Sequence, residues 1–129
     1  MTLPPPVISQ AKLLPVLQKA KSAYVLWHTF HELLPKAQRY SLGVRIDSLF
    51  IELIEALVVA TFLVRDEKIP YVRLAIRKLD TIKILLLILF ETKALDTKRY
   101  IALSTHLEEI GRMLGGWYGQ LQKQNSNPH

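Results

Sequence analysis

The stretch LGVRIDSLFIELIEALVVATFLV, residues 42–64, has more apolar positions than one face of a helix can hold. Leu42, Ile46, Leu49, Phe50, Leu53, Leu57 and Val64 fall on one side and form a core stripe. Ile51, Ile54, Val58 and Phe62 form a second stripe, leaving a narrow polar strip of Arg45, Ser48, Glu52 and Glu55. A helix so nearly apolar all round is buried on most of its circumference. The pattern predicts a helix packed among others on one side and covered by a further surface on another.

Working outward, the punctuation predicts three more helices. The first starts near Leu14, where Pro15 suits the first helical turn, and ends before Pro35. Leu13, Val16, Leu17, Ala20, Tyr24, Trp27 and Leu34 share its apolar face, opposite Gln18, Lys21, Ser22, Thr29 and Glu32. Ser41 is placed to cap the second helix. Residues 65–69 read as a charged connection, and Pro70 as the start of a third helix running to about Lys93. Asp96 or Thr97 caps a fourth that reaches about Lys123. Short connections make neighbouring helices antiparallel, so the fold class is all-α, an up-down four-helix bundle over residues 1–123. Residues 1–12 read as a partly disordered N-terminal segment and residues 124–129 as a polar, disordered tail.

The third helix repeats the surplus of the second. Residues 84–90 are seven apolar residues in succession, two turns greasy on every side. A four-helix bundle leaves about half of each helix outside. A second subunit covering Ile51, Ile54, Val58, Phe62, Ile84 and Leu87 would gain about 1.5–3 kcal/mol for each large side chain buried. A tight homo-oligomer is expected. On the same side of the third helix, Arg73, Arg77, Asp80 and Lys83 precede Ile84 and Leu87, so one end of the oligomer would be basic and the other dry. Asp80 lies within three residues of Arg77 and Lys83 and is expected to pair part of that charge, whereas Lys78 lies off the stripe and reads as solvated.

The last helix contains Gly111, Gly115, Gly116 and Gly119. Each glycine costs about 1 kcal/mol against alanine in a helix interior. Gly111, Gly115 and Gly119 share a slowly drifting stripe beside Trp117, which predicts a close helix approach centred on Gly115.

Composition narrows the function. Half of the residues are hydrophobic, mean hydropathy is +0.16, and 17 Lys and Arg against 11 Asp and Glu give a net charge of +6. A chain both greasy and basic suggests buried contact surfaces together with an anionic partner. With no cysteine, disulfides and thiolate metal sites are excluded. No signal peptide is read, because residues 1–7 hold three prolines and lack a basic start and apolar run. No membrane span is read either, because residues 82–90 are too short to cross a bilayer and contain Lys83, while residues 49–64 carry Glu52 and Glu55. The expected setting is soluble and cytoplasmic.

No catalytic pattern, metal site or cofactor motif emerges. Phosphate-binding glycine loops are absent. His28 and His31 with Glu32, and Glu52 with Glu55, do not supply the inward Glu-x-x-His pair that a di-iron bundle requires. His31 falls beside Tyr24 and Trp27 and reads as a hydrogen-bonded core histidine.

Two segments look familiar together. LPKAQRYSLGVRID, residues 34–47, and EIGRMLGGW, residues 109–117, resemble the Avd family, the accessory variability determinants of diversity-generating retroelements. The first segment also resembles the wider four-helix-bundle family encoded in 23S rRNA intervening sequences. The resemblance implies a basic bundle assembled as a pentameric barrel, bacterial or phage-encoded. Such a protein binds RNA or DNA, associates with the retroelement's reverse transcriptase and supports mutagenic cDNA synthesis without being the polymerase. Leu87 stands one turn beyond Lys83, where family members often carry a second basic residue, which limits the basic surface the resemblance implies.

The leading expectation is therefore a nucleic-acid-binding accessory subunit that is not an enzyme. Its candidate contacts are Arg39, Arg45, Arg73, Arg77 and Lys83, with Lys36 and Arg112 behind them, each able to neutralise a phosphate. Each has an internal alternative: Arg45 with Glu52, Arg77 with Asp80, Arg112 with Glu108 or Glu109. The oligomer contacts are Ile51, Ile54, Val58, Phe62, Ile84, Leu87, Gly111 and Gly115. The alternative function is a self-assembling protein-interaction module whose charge is incidental.

Overall fold

The computed structural model describes residues 14–126 and contains only helices among them. The predicted N-terminal segment, Leu13 of the first apolar face and the end of the predicted tail lie outside the described residues. Helix α1 spans Pro15–His31, α2 Lys36–Arg39, α3 Leu42–Phe62, α4 Arg65–Glu91 and α5 Thr97–Ser126. The four long helices pack in the cyclic order α1, α3, α4, α5, with α5 closing back on α1 and the single turn of α2 set against α3.

Sequence dictates most of these boundaries. Pro15 occupies the first turn of α1 as predicted, where a missing N–H costs nothing. Asp96 caps α5: its Oδ1 accepts the Arg99 N–H at 2.8 Å. At the end of α4 the chain turns through a Schellman motif, in which Ala94 N–H bonds the Leu89 carbonyl at 2.9 Å and Lys93 N–H bonds that of Phe90 at 3.0 Å. The motif forces Lys93 to φ 65°, a left-handed conformation that costs a side-chain-bearing residue free energy. Lys93→Gly is accordingly expected to raise stability by about 1 kcal/mol in denaturant unfolding.

Four predicted features need correction. The charged connection at residues 65–69 is helical, and Pro70 lies inside α4 rather than at its start. Asp66 and Glu67 in the first turn suit the positive end of the helix dipole. The carbonyl that Pro70 cannot bond belongs to exposed Asp66, where water can reach it. Ser41 holds the N-cap position of α3 without capping it, since its hydroxyl donates instead to the Ala37 carbonyl at 2.8 Å. Val64 lies past the end of α3 and is exposed, not core. Helix α5 continues to Ser126, three residues into the predicted tail.

The core follows the predicted faces. Val16, Leu17, Ala20 and Trp27 of α1 are buried, as are Ile46, Leu49, Phe50, Leu53 and Leu57 of α3. Leu34, expected on the α1 face, is also buried, but it sits in the turn after α1 has ended. Two side chains tie the helix ends: Arg39 donates to the Leu34 carbonyl through Nε and Nη2 at 3.2 and 3.0 Å, and Lys68 Nζ donates to the Ala60 carbonyl at 2.6 Å. The second donation joins the Leu63 N–H on the Ala60 carbonyl at the end of α3.

Candidate nucleic-acid interface

Helix periodicity puts Arg73 and Arg77 one turn apart on the outer side of α4, and both are exposed. Arg73 reaches α5, donating to the Tyr118 hydroxyl from Nε and Nη2 at 3.3 and 3.2 Å, with its guanidinium 5.7 Å from the ring centre. That contact orients the cation without neutralising it. Arg77 and Asp80, expected to pair, form no ion pair with each other. The tertiary fold redirects the partners instead. Lys83 Nζ, half-buried, lies 3.3 Å from Glu108 on α5, and Lys19 on α1 lies 3.1 Å from Glu109. Both carboxylates expected for Arg112 are thus taken, and Arg112 stands exposed without an anionic partner among the described residues.

At the opposite end of the bundle the candidate cations are mostly engaged. Arg39 is committed to the Leu34 carbonyl. Arg45 contacts Glu52 at 3.5 Å, as expected, but Glu52 is held more closely by Lys78 at 2.7 Å. Lys78 is therefore an interhelical partner rather than a solvated side chain. Its hydrogen bond is the main reason the Glu52 carboxyl lies below the usual glutamate range, with Arg45 adding to it and partial burial opposing. The stability from this pair is present above the ordinary glutamate pKa and is lost as pH falls through the lowered one. Lys36 is exposed and carries no anionic partner among the described residues.

The structure thus divides the predicted cations in two. Lys36, Arg73, Arg77 and Arg112 have charge free for an external anion, while Arg45 and Lys83 are paired inside the chain and Arg39 is tied to backbone. Lys83 and Arg112 share a groove between α4 and α5 of about 270 Å³, but Asp80 and Glu108 line it too. Lys36, Arg39 and Arg45 are not brought to that face. The wheel of one helix showed the exposed stripes. It could not show which carboxylates on a neighbouring helix would meet them.

The expected contact residues also separate. Ile51, Phe62 and Ile84 are 43%, 67% and 57% exposed. Ile54, Val58 and Leu87 are half-buried within the chain itself. Residues 84–90, expected to be greasy on every side with half left outside, leave only Ile84 and Ile88 exposed, because Leu86 and Leu89 enter the core and Phe90 stacks on Tyr100 at 4.6 Å. Val44, Val59 and Leu74 join the exposed apolar set, outside the predicted stripe.

Within the chain, the glycine stripe is not the site of a close helix approach. A Cβ at Gly115 would meet nothing within 4 Å, so no helix of the chain passes close there. Gly111 meets the Lys83 and Leu79 side chains at 3.4 and 3.5 Å, which is ordinary contact. The tight glycine is Gly43, where a Cβ would fall 2.7 Å from the His31 ring and 3.1 Å from the Gln38 carbonyl. His31 is the hydrogen-bonded, largely buried histidine expected: Nε2 lies 3.0 Å from the Arg39 carbonyl and its ring stacks on Trp27 at 5.1 Å. Burial and then the Asp47 carboxylate raise the neighbouring Tyr24 phenol above its ordinary range.

Among the described residues, no three His, Asp or Glu side chains gather as a metal site, and no helix is long and apolar enough to cross a membrane. The fold defines an all-α protein of four mutually packed helices. No protein-family model, curated protein or solved structure matches the chain.

Proposed function

We propose that the chain is a non-catalytic accessory subunit of a diversity-generating retroelement, as its resemblance to the Avd family implies. In this reading it assembles as a homo-oligomer, a pentamer by that resemblance, binds RNA or DNA through exposed basic residues and associates with the reverse transcriptase. The observation that carries the nucleic-acid part is the set of exposed arginines, Arg73, Arg77 and Arg112, without carboxylate partners in a chain of net charge +6. Repetition around a ring would multiply such modest contacts. Support for assembly comes from Ile51, Phe62 and Ile84, large apolar side chains that the protomer leaves in water.

A second reading, a self-assembling module with incidental charge, draws on the internal pairing of Arg45 and Lys83. Binding of structured RNA as a function of salt separates the two. The accessory-subunit reading expects binding at about 50 mM salt that weakens steeply as salt rises. Replacing Arg73, Arg77 and Arg112 with alanine is expected to lower both affinity and salt slope while helicity and oligomer mass stay unchanged. Ile51→Asp with Ile84→Asp tests assembly on residues exposed in the protomer, and light scattering is expected to report a smaller species. A wild-type oligomer that binds no RNA at low salt would favour the second reading, and a wild-type monomer of 14.8 kDa would remove both. Failure to co-purify with the adjacently encoded polymerase would remove the reverse-transcriptase assignment alone.

A further inference from the structure

A groove of about 390 Å³ opens between the beginning of α1 and the C-terminal half of α5. Its α5 wall presents Met113, Trp117 and Gln120, with Arg112 on the rim, and Leu14 and Val16 supply apolar surface opposite. Gly116 leaves it open, since a Cβ there would meet nothing within 4 Å. What distinguishes this groove is its charge. The groove at the α1–α2–α3 corner is lined by Glu32 and Asp47, and that between α4 and α5 by Asp80 and Glu108. Among the described residues no carboxylate lines the groove at Trp117, whose own cation, Arg112, is unpaired. Lys68 Nζ lies 6.0 Å from the centre of the Trp117 ring, and its bond to a backbone carbonyl leaves its charge intact. Gln120 is exposed and its amide is unpartnered among the described residues.

An indole, an amide and one cation, Arg112, without acids suit a ligand with a flat face, a hydrogen-bonding edge and a negative charge. We infer that this groove receives one unpaired nucleotide of a single-stranded nucleic acid, with the base against Trp117, its edge at Gln120 and the phosphate at Arg112. The inference rests on the nucleic-acid reading above and adds a strand preference to it. A base inside a duplex has both faces stacked on its neighbours, so only an unstacked base, or one at a duplex end, can offer a face to an indole. Phosphate contacts alone would treat the two forms more evenly.

Tryptophan emission gives a direct readout, because the chain has two tryptophans and Trp27 is fully buried. The intact protein is titrated with single-stranded oligo(U), a blunt RNA duplex and free uridine monophosphate, while fluorescence anisotropy of labelled RNA follows binding independently. Oligo(U) is expected to quench emission in step with anisotropy, the duplex to bind without comparable quenching, and the monophosphate to need far higher concentration. Trp117→Leu should weaken oligo(U) binding about tenfold and Trp117→Phe should retain most of it. Gln120→Ala, at an exposed position, should weaken binding about threefold and serves if Trp117→Leu disturbs the fold. Oligo(U) that binds by anisotropy with unchanged emission and equal affinity for the variants would overturn the groove and leave the nucleic-acid reading standing. Quenching as strong with the monophosphate, or with the duplex, would overturn the single-strand preference. Absence of any anisotropy change would remove the nucleic-acid reading and this inference together.

Discussion

Trp27→Ala is expected to lower the unfolding free energy by about 3–5 kcal/mol, the range for deleting a fully buried large aromatic. Trp27 is 0% exposed and joins α1 to α3 at one corner of the bundle. Its ring stacks with His31 at 5.1 Å and 13°, and with Phe50 of α3 at 6.2 Å and 20°. Its Nε1 donates to Asp47 Oδ1 at 3.3 Å. Alanine would leave a cavity between α1 and α3 and take away a hydrogen-bond donor from a carboxylate only partly exposed to water. Trp27→Phe should restore most of the packing and retain a loss of about 1–2 kcal/mol from the missing donor. Denaturant unfolding must be run at matched protein concentration, because assembly would add its own concentration-dependent stability. A loss below about 1 kcal/mol for Trp27→Ala would mean that the corner repacks freely around the deletion.

Gly43→Ala is expected to destabilise by about 1–3 kcal/mol, the reverse of the usual gain when a helical glycine becomes alanine. The added Cβ would lie 2.7 Å from both Cδ2 and Nε2 of His31. That ring is held by its stack on Trp27 and its bond to the Arg39 carbonyl, so it cannot withdraw without breaking one of them. The cause can be isolated with a double-mutant cycle. In a His31→Ala background the cost of Gly43→Ala should shrink to about 0.5 kcal/mol or less, because the obstructing ring is gone. Gly115→Ala supplies the opposite control. With open space around its Cβ position, it should follow propensity and gain up to about 1 kcal/mol within the protomer. Equal costs for Gly43→Ala with and without His31 would mean that the Gln38 carbonyl, not the ring, sets the close approach.

The four long helices, their order and most of the core were legible because they depend on local information, whereas the single turn of α2 was not read. A period of 3.6 residues places Leu49, Phe50, Leu53 and Leu57 on one face whatever stands opposite. Pro15 and Asp96 act within one turn of their own position, so their roles could be read before any fold was known. Pro70 lies inside α4 because proline tolerates the beginning of a helix without defining it, and the favourable residues before it extend the helix by about one turn.

The candidate site was half legible. Exposure of Arg73, Arg77 and Arg112 follows from their helical faces, but whether a cation is free depends on charges from other helices. Glu108 went to Lys83 and Glu109 to Lys19, which left Arg112 unpaired; Lys78, on a neighbouring helix, became the closer partner of Glu52. Tyr118 and Lys68 gained their roles only across helices, in contact with Arg73 and Trp117. The retroelement assignment comes from resemblance in two segments, since neither periodicity nor packing specifies a polymerase partner.

Local sequence specifies four amphipathic helices, their order along the chain and a surplus of apolar and basic surface, because periodicity, caps and short connections act over a few residues. Packing in three dimensions sets Gly43 rather than Gly115 as the close approach within the chain, pairs Lys83 while leaving Arg112 free, and forms a groove beside Trp117 lined by no carboxylate of the described residues. Each of those outcomes depends on which side chain of a distant segment comes within a few ångströms, and distance through space is not encoded in spacing along a single helix.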